Sequence, residues 1–584
     1  MTEVIDAAAA LPQQRRAGLA KRPAQTNLLA LAMLLVIACL VLPPVVTLIQ
    51  NSLFVMNPDG SHGAFTLDNF THLVGEKGII ASGWNSIQFA ALSTLFSLLF
   101  GASLAWVVER TDAPHRSLAY LMTVVSLGIP LIIYVPAWLF LLGPVGPFNE
   151  LYRNLTGNGG NLFAVNSIAG MVVIETLGWL PMSFLLFAAS FRTANAELEE
   201  AARMSGAGIL TMVLRVSIPL AAPAALATGL FIFIKTLQAF DVPKLVGTSA
   251  GIKLLTTDIY DDIRAAVPPR VGHASAYSVV LTVLVAGLMY LYSRLSLNAS
   301  RFATVTGKGF RPRPLPLGRL RWLGGALIWA NCIVVLVLPI LTLLWIALTP
   351  FVRPVRVAAF KSLTLDNFRV VLASQGYFEL IVNTLITAAA AASITMALMV
   401  VCGWLVARRQ AFHTVTDQLI TLPMILPGIV LSVAMMDVAL RAPVPLYSTL
   451  TIVVIAFVIH FLPFGMRYTY GGVLQIHKEL EESAGVCGAS PGKILLKVVM
   501  PLLWPAIMAG WVFIFLNAAR DLSTAIILAG PDTKTIAVAI FDRAVNGELS
   551  EVAALGLLWS LLMSTIATVF YLVMKRRGTM IFGV

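Results

Sequence analysis

The chain has 584 residues, 58% of them apolar and only 12% charged. A soluble protein carries about 25% charged residues; half that cannot cover a water-soluble body of this size, and high apolar content with four cysteines excludes disorder and a disulfide scaffold. A polytopic membrane protein remains, and its formal charge of +12 asks which side of a bilayer holds it.

A membrane-crossing helix needs about 20 mostly apolar residues. In chain order twelve are expected, over 28–49, 84–108, 118–142, 164–190, 220–240, 276–297, 322–349, 378–407, 417–440, 449–471, 503–524 and 552–574. They are continuous apolar runs, unlike the short alternating segments of a β-barrel. Pro43, Pro44, Pro130, Pro136, Pro423 and Pro427 fall inside them, which a bilayer tolerates where neighbouring helices satisfy the freed carbonyls. Arg15, Arg16, Lys21 and Arg22 precede the first span and predict a cytoplasmic N-terminus. No small-residue cleavage site follows that span, so it reads as an orientation signal and not as a secretory leader. With groups at span ends counted with the segment they adjoin, the cytoplasmic segments carry +14 and the far side −2. The basicity is therefore topological and needs no nucleic-acid partner. Cys39, Cys332, Cys402 and Cys487 have no metal-ligand spacing and read as packing residues.

The chain repeats itself. Thr66-Leu67-Asp68-Asn69-Phe70 recurs as Thr364-Leu365-Asp366-Asn367-Phe368, an offset of 298 that also carries Asn85 to Asn383, Trp106 to Trp404 and Arg110 to Arg408. Glu197-Leu198-Glu199-Glu200 recurs as Glu479-Leu480-Glu481-Glu482 at an offset of 282, which also relates Pro181 to Pro463, Gly206 to Gly488, Pro219 to Pro501 and Pro223 to Pro505. The change of register predicts an insert in the first copy, most simply the polar, Gly-rich far-side loop near 143–163. Six spans per copy is an even number, so both copies enter the membrane the same way up and enclose a path between them. The expected organisation is a cytoplasmic segment 1–27, a transmembrane domain 28–297, a basic linker 298–321, a second transmembrane domain 322–574 and a cytoplasmic tail 575–584. The linker holds Arg301, Lys308, Arg311, Arg313, Arg319 and Arg321 and no acid.

The loops between the fourth and fifth spans carry the most information. The first reads Glu200-Ala201-Ala202, three residues, Gly206, nine residues, then Val216-Ser217-Ile218-Pro219; the second reads Glu482-Ser483-Ala484, three residues, Gly488, nine residues, then Val498-Val499-Met500-Pro501. Each predicts a short helix, a glycine turn and an amphipathic segment, a shape suited to docking a cytoplasmic partner.

These two loops resemble the Glu-Ala-Ala-x3-Gly-x9-Ile-x-Leu-Pro signature of the permease subunits of ATP-binding-cassette importers. The resemblance covers essentially the whole chain as two fused six-span units; Ser483, Val216, Val498, Ile218 and Met500 are mild departures. It implies an all-α type I importer fold of twelve transmembrane helices in two parallel homologous halves, in a bacterial inner membrane with both termini cytoplasmic. It further implies coupling helices seated in two ATPase subunits, and a substrate delivered by an external binding protein. The fused form with Thr-Leu-Asp-Asn-Phe before the second span of each half most resembles ferric-iron-type permeases; thiamine, 2-aminoethylphosphonate, polyamine and sulfate systems are relatives. An ion-gradient-driven secondary transporter of twelve spans is the rival of a different class, and the paired docking loops argue against it.

A phosphate-binding loop needs Gly-x4-Gly-Lys-Ser/Thr. The nearest match, Gly488-Ala489-Ser490-Pro491-Gly492-Lys493, is followed by Ile494, and Cys487 stands where the first glycine belongs. ATP is thus used by partner subunits, this chain binds no cofactor and it carries no catalytic constellation. Glu175, Lys235, Asp437, His460, Arg520 and Asp521 are ionisable groups at membrane depth, where such groups default to function. Glu175, Pro181, His460 and Pro463 are the gate or pathway candidates, the two prolines kinking equivalent fourth spans. Met435-Met436 reads as packing, and the residues leave the identity of any metal open.

Overall fold

Two runs of helices follow one another in the same order, as the repeat requires. The computed structural model describes residues 13–57, 61–75, 78–127, 129–193, 197–299 and 314–576. The first run is α1 (Gln13–Leu53), a hairpin of β1 (Phe54–Met56) and β2 (His62–Phe65), α2 (Asp68–Gly75), α3 (Gly78–Arg110), α4 (Arg116–Leu127), α5 (Leu131–Leu142), α6 (Pro147–Thr156), α7 (Ile168–Thr193), α8 (Glu197–Met204), α9 (Ile209–Leu237), α10 (Leu255–Arg264) and α11 (Val271–Ala299). The second is α12 (Gly318–Leu348), α13 (Asp366–Ala373), α14 (Gln375–Ala407), α15 (His413–Ile425), α16 (Gly428–Arg441), α17 (Leu450–Leu474), α18 (Lys478–Val486), α19 (Pro491–Ala518), α20 (Ile536–Val545) and α21 (Leu549–Arg576). Among the described residues eleven helical segments are long and apolar enough to cross a membrane, with α5 and α6 taken together as Leu131–Thr156, and twelve if α15 and α16 form one span. Arg301, Lys308, Arg311 and Arg313 of the expected linker, the first twelve residues and most of the expected tail lie outside the described residues.

Three features differ from the sequence expectation. The expected spans 118–142 and 417–440 are each broken: α4 gives way to α5 at Pro130, and α15 to α16 at Pro427, with a bend of 107° in the second half. Both prolines cap the following helix in extended conformation, with ψ of 138° and 149°. Proline lacks the N–H that would bond back along the helix and pushes its predecessor out of helical conformation. Spans five and eleven also end early, at Leu237 and Ala518. The chain then breaks, continues through short helical turns (Pro243–Gly247 and Thr248–Ala250) in the first half and a run of turns in the second, and forms the ten-residue helices α10 and α20, too short to show as runs of 20 apolar residues. The insert near 143–163 contains the ten-residue helix α6, and the buried Asn149 amide there donates to the carbonyls of Leu142 and Gly143 at 2.9 Å each.

The repeated Thr-Leu-Asp-Asn-Phe is a joint. Thr66 and Thr364 accept from the N–H of Asp68 and Asp366, starting α2 and α13. The Asn69 and Asn367 amides donate to carbonyls at the end of the preceding span, Ser52 at 3.1 Å and Ala347 at 2.8 Å. Inside each half the second and fourth spans pack most closely, with small residues letting backbones approach. A Cβ on Gly101 of α3 would lie 2.3 Å from Ser183 Oγ of α7, and one on Gly465 of α17 would lie 2.9 Å from Met399 Cγ of α14. Gly101 and Met399 are equivalent, as are Ser183 and Gly465, so the small partner changes helix between the halves.

The first helix of each half crosses to the other. α1 packs on α11 of its own half and on α15 and α16; α12 packs on α4 and α5 and continues against α21. Tyr134 on α5 donates to the Val335 carbonyl on α12 at 3.2 Å. Just before α12, Leu315 pairs with Thr111 as a β-bridge and donates to the Arg110 carbonyl at 2.8 Å, stitching the end of the linker to the first half. One buried apolar core accordingly runs through both halves.

Candidate functional site

The two signature loops fold alike. α8 and α18 each end on a glycine with positive φ, +81° at Gly206 and +90° at Gly488, in a region that side-chain-bearing residues avoid. The N–H groups of Gly206 and Ala207 donate to the carbonyls of Arg203 and Ala202, and those of Gly488 and Ala489 to Gly485 and Ala484. This paired capping closes the helix and turns the chain into α9 or α19. The last alanine of each signature triplet therefore supplies a carbonyl to the turn.

Each loop helix is anchored by the glutamate that precedes the signature acid. Glu481 accepts from Arg408 Nε at 2.8 Å, from Arg408 Nη2 at 2.6 Å and from Trp404 Nε1 at 2.9 Å, while Arg408 also donates to the Ile476 carbonyl. In the first half Arg110 Nε lies 3.5 Å from Glu199, Ser217 donates to Glu199 at 2.6 Å, and Trp106 donates to Ser217. The signature acids Glu200 and Glu482 lie on the outer side, half-buried and exposed; Ala201, Ser483, Pro219 and Pro501 are exposed and Ala202 and Ala484 half-buried. Glu199, Glu481, Arg110, Arg408, Trp106 and Trp404, which hold the loop helices in place, are missed by motif reading, although all six appear among the internal repeats.

α3 and α14 tie these loops to the other end of the molecule. Asn85 donates to the Lys253 carbonyl and Ser86 Oγ accepts from the first N–H of α10; Asn383 and Thr384 do the same for Lys534 and α20. Twenty-odd residues of helix separate these contacts from Arg110 and Arg408, roughly 35 Å, so α10 and α20 sit at the end away from the signature loops. There they meet across the two halves. Phe240 and Phe541 have ring centroids 5.8 Å apart, Tyr260 packs edge-on to Phe541 at 6.0 Å, and Arg264 donates to the carbonyls of Ile526 and Ile527. On α10 burial lifts the Asp258 carboxyl above its usual range and pushes that of Asp262 up to about 6.

Beneath this aromatic seal lies a polar interior. Glu175 is 1% exposed and accepts from Trp179 Nε1 at 2.8 Å; Lys235 donates to Gln238 and lies 5.9 Å from the Phe464 ring of the other half. Lys235 and His460 are within electrostatic range of Asp521, Asp521 of Asp241, and Asp241 of Glu175. Arg520 donates to Asn517. The pathway candidates Glu175 and His460 thus belong to one charged cluster, whereas Pro181 and Pro463 sit inside helices that continue through them. Asp437 pairs with Arg441 at 2.8 Å, and Met435 and Met436 are core residues. Among the described residues no three His, Cys, Asp or Glu are grouped to hold a metal ion.

The sequence profile of the binding-protein-dependent transport system inner membrane component matches residues 97–299 and 399–578, one stretch in each half. The chain belongs to that family. It is similar to the ferric transport system permease of Actinobacillus pleuropneumoniae, 24% identical over 87% of this chain and 73% of that one. A probable ABC transporter permease of Sinorhizobium fredii is 25% identical over 92% of this chain and 93% of its own. A putative 2-aminoethylphosphonate transport system permease of Salmonella choleraesuis is 25% identical over 44% of this chain and 88% of its own. The permease is a multi-pass inner-membrane transport subunit without catalysis of its own; separate ATPase subunits hydrolyse ATP.

The permease displays matched apolar tips where the loop helices end. Met204 is 91% exposed and its counterpart Val486 is 89% exposed. Seating such a side chain in a partner contributes about 1.5–3 kcal/mol, so Met204→Glu combined with Val486→Glu should weaken retention of the ATPase by tenfold or more. Copurification from detergent checks this, with the amount of permease in the membrane unchanged because neither side chain packs inside the chain.

Proposed function

We propose that this permease forms the translocation path for ferric iron handed over by an external binding protein. Two ATPase subunits dock on α8 and α18 from the cytoplasm, where both termini and the basic linker 298–321 also lie, between transmembrane domains 28–297 and 322–574. The observation that carries the mechanism is the repeated unit of loop helix, positive-φ glycine and Arg–Glu–Trp anchor. It couples each docking surface rigidly to the second span of its half, and that span in turn holds α10 or α20 at the opposite seal. ATPase closure would move the docking helices together, shift α3 and α14, and part the Phe240–Phe541 contact. Support for ferric iron comes from the ferric relative aligned along most of the chain.

A second substrate reading, 2-aminoethylphosphonate, draws on the opposite charges in the interior, where Lys235 and Arg520 accompany the acids. Uptake of radiolabelled ferric iron by cells carrying the whole transporter, in competition with 2-aminoethylphosphonate and thiamine, tests the proposal. Ferric uptake that depends on the binding protein and on ATP is expected. Uptake of another solute, with none of iron, would overturn the substrate.

A further inference from the structure

The first half fills a space at its signature-loop end that the second half leaves open. In the first half Tyr120 of α4 donates to Glu109 of α3, and Arg192 of α7 donates to both, at 3.2 Å to the carboxylate and 2.9 Å to the hydroxyl. The offset of 298 carries Glu109 to Ala407 and Tyr120 to Gln418, and the offset of 282 carries Arg192 to Leu474. No charge remains to rebuild that network. The second half has instead a cavity of about 760 Å³, with Ala407 and Leu474 in its wall.

The wall is basic. Arg408, Arg409, His413, His477 and Lys478 line it, against a single acid, Asp417, among the described residues. Arg408 is neutralised by Glu481, whereas the side chains of Arg409 and Lys478 have no acidic partner among the described residues. Neither of these two charges recurs: the repeat places Thr111 opposite Arg409 and Ala196 opposite Lys478. Two helices start at the rim, α15 at His413 and α18 at Lys478, and neither N-terminus carries a side-chain cap. Their positive ends add to the same field. Arg409 and Phe412 both hold positive φ, +52° and +62°, a conformation that is costly without glycine and gathers at binding sites.

We propose that this cavity binds a phosphate-bearing anion, which bridges the turn between α14 and α15 to the first turn of α18. Its volume falls within the roughly 300–1,000 Å³ of small-molecule sites. The arginine fork and the lysine point charge suit phosphate oxygens, while Val406, Tyr470 and Leu474 offer an apolar side to whatever bears the phosphate. Two sources share this chemistry, an anionic phospholipid headgroup and a soluble phosphate compound. Occupancy ties the docking helix to the second span beside the Arg408–Glu481 anchor. The site is independent of the transported cargo.

The test uses the full-length permease, purified in detergent and stripped of lipid, with phosphatidylglycerol and inorganic pyrophosphate as probes. Native mass spectrometry counts bound lipid, and calorimetry follows pyrophosphate. At least one should bind: the lipid if the source is the membrane, pyrophosphate if it is soluble. Arg409→Gln combined with Lys478→Gln should weaken that binding by about tenfold or more. Arg319→Gln combined with Arg321→Gln, which removes the same charge from the exposed start of α12, should leave it unchanged. Ala407→Glu with Gln418→Tyr and Leu474→Arg, which installs the side chains that fill the first half, should abolish it without lowering the melting temperature. Failure of the wild type to bind either probe would overturn the site. So would equal loss in the two charge-removing variants, or full binding to a folded filled-cavity variant. If neither probe binds and the Arg409→Gln, Lys478→Gln variant sheds the ATPase, the cavity receives the ATPase itself and the proposal falls.

Discussion

Replacing Arg408 by Met should leave a transporter that inserts normally, loses its grip on the ATPase and stops importing. Arg408 and Glu481 side chains are 8% and 12% exposed, joined at 2.6 Å, with Trp404 and the Ile476 carbonyl completing the network. An exposed ion pair contributes at most about 1 kcal/mol, but breaking a buried one strands a charge and costs about 3–5 kcal/mol. That cost falls on one short element, the nine-residue α18. At 1.4 kcal/mol per tenfold, the docked position of the loop helix would be depleted by roughly a hundredfold or more. Arg110→Met should act in the same direction on α8 through Glu199. The double variant Arg408→Met, Glu481→Gln separates a stranded charge from a lost contact: it should bind the ATPase better than Arg408→Met alone, because no buried carboxylate remains unpaired. Import by Arg408→Met at the wild-type rate would show that the anchor does not transmit the ATPase stroke.

How legible this was in the sequence depends on what each signal measures. Span existence follows from the cost of bare backbone in lipid, so ten of the expected spans could be read as apolar runs with only their edges in question. The breaks at Pro130 and Pro427 could not, because proline in a membrane helix is compatible both with passage and with a break, and the neighbouring helices decide. The anchor was present in two registers that only the fold joins: Trp106, Arg110 and their counterparts recur at an offset of 298, Glu199 and Glu481 at 282. The signature places emphasis on Glu200 and Glu482, yet helix phase turns the preceding glutamate inward, with Leu198 and Leu480 about half-exposed on another face. Asp241 escaped notice for a smaller reason. It lies one residue beyond the expected edge of the fifth span, in the helical turn that follows the early end of α9 at Leu237. Likewise α10 and α20 are buried by spans distant in sequence, α11 and α3 with α16 for α10, and α21 and α14 with α5 for α20, which no local pattern contains.

Gly488 offers the cleanest separation of backbone from packing in the molecule. Its φ is +90°, and a Cβ added there would meet nothing within 4 Å, as is also true of Gly206. Substitution therefore creates no clash, and the whole effect is conformational. An ordinary L-residue in this region costs about 1–2 kcal/mol, or a five- to thirty-fold loss of the turned state. Asparagine tolerates positive φ better than alanine, and a β-branched residue tolerates it worst of the three. Proline adds a second defect: its φ is fixed near −65°, and it deletes the N–H that donates to the Gly485 carbonyl at 3.0 Å. The expected order of ATP-driven import is thus wild type, then Gly488→Asn, Gly488→Ala, Gly488→Val and Gly488→Pro, with Gly206 following the same order. Permease abundance should stay level across the series, since the turn lies outside the bilayer and touches no core residue. If import instead followed side-chain size, with asparagine as harmful as valine, the glycine would be serving close approach of the ATPase surface; the positive φ would then be incidental to coupling.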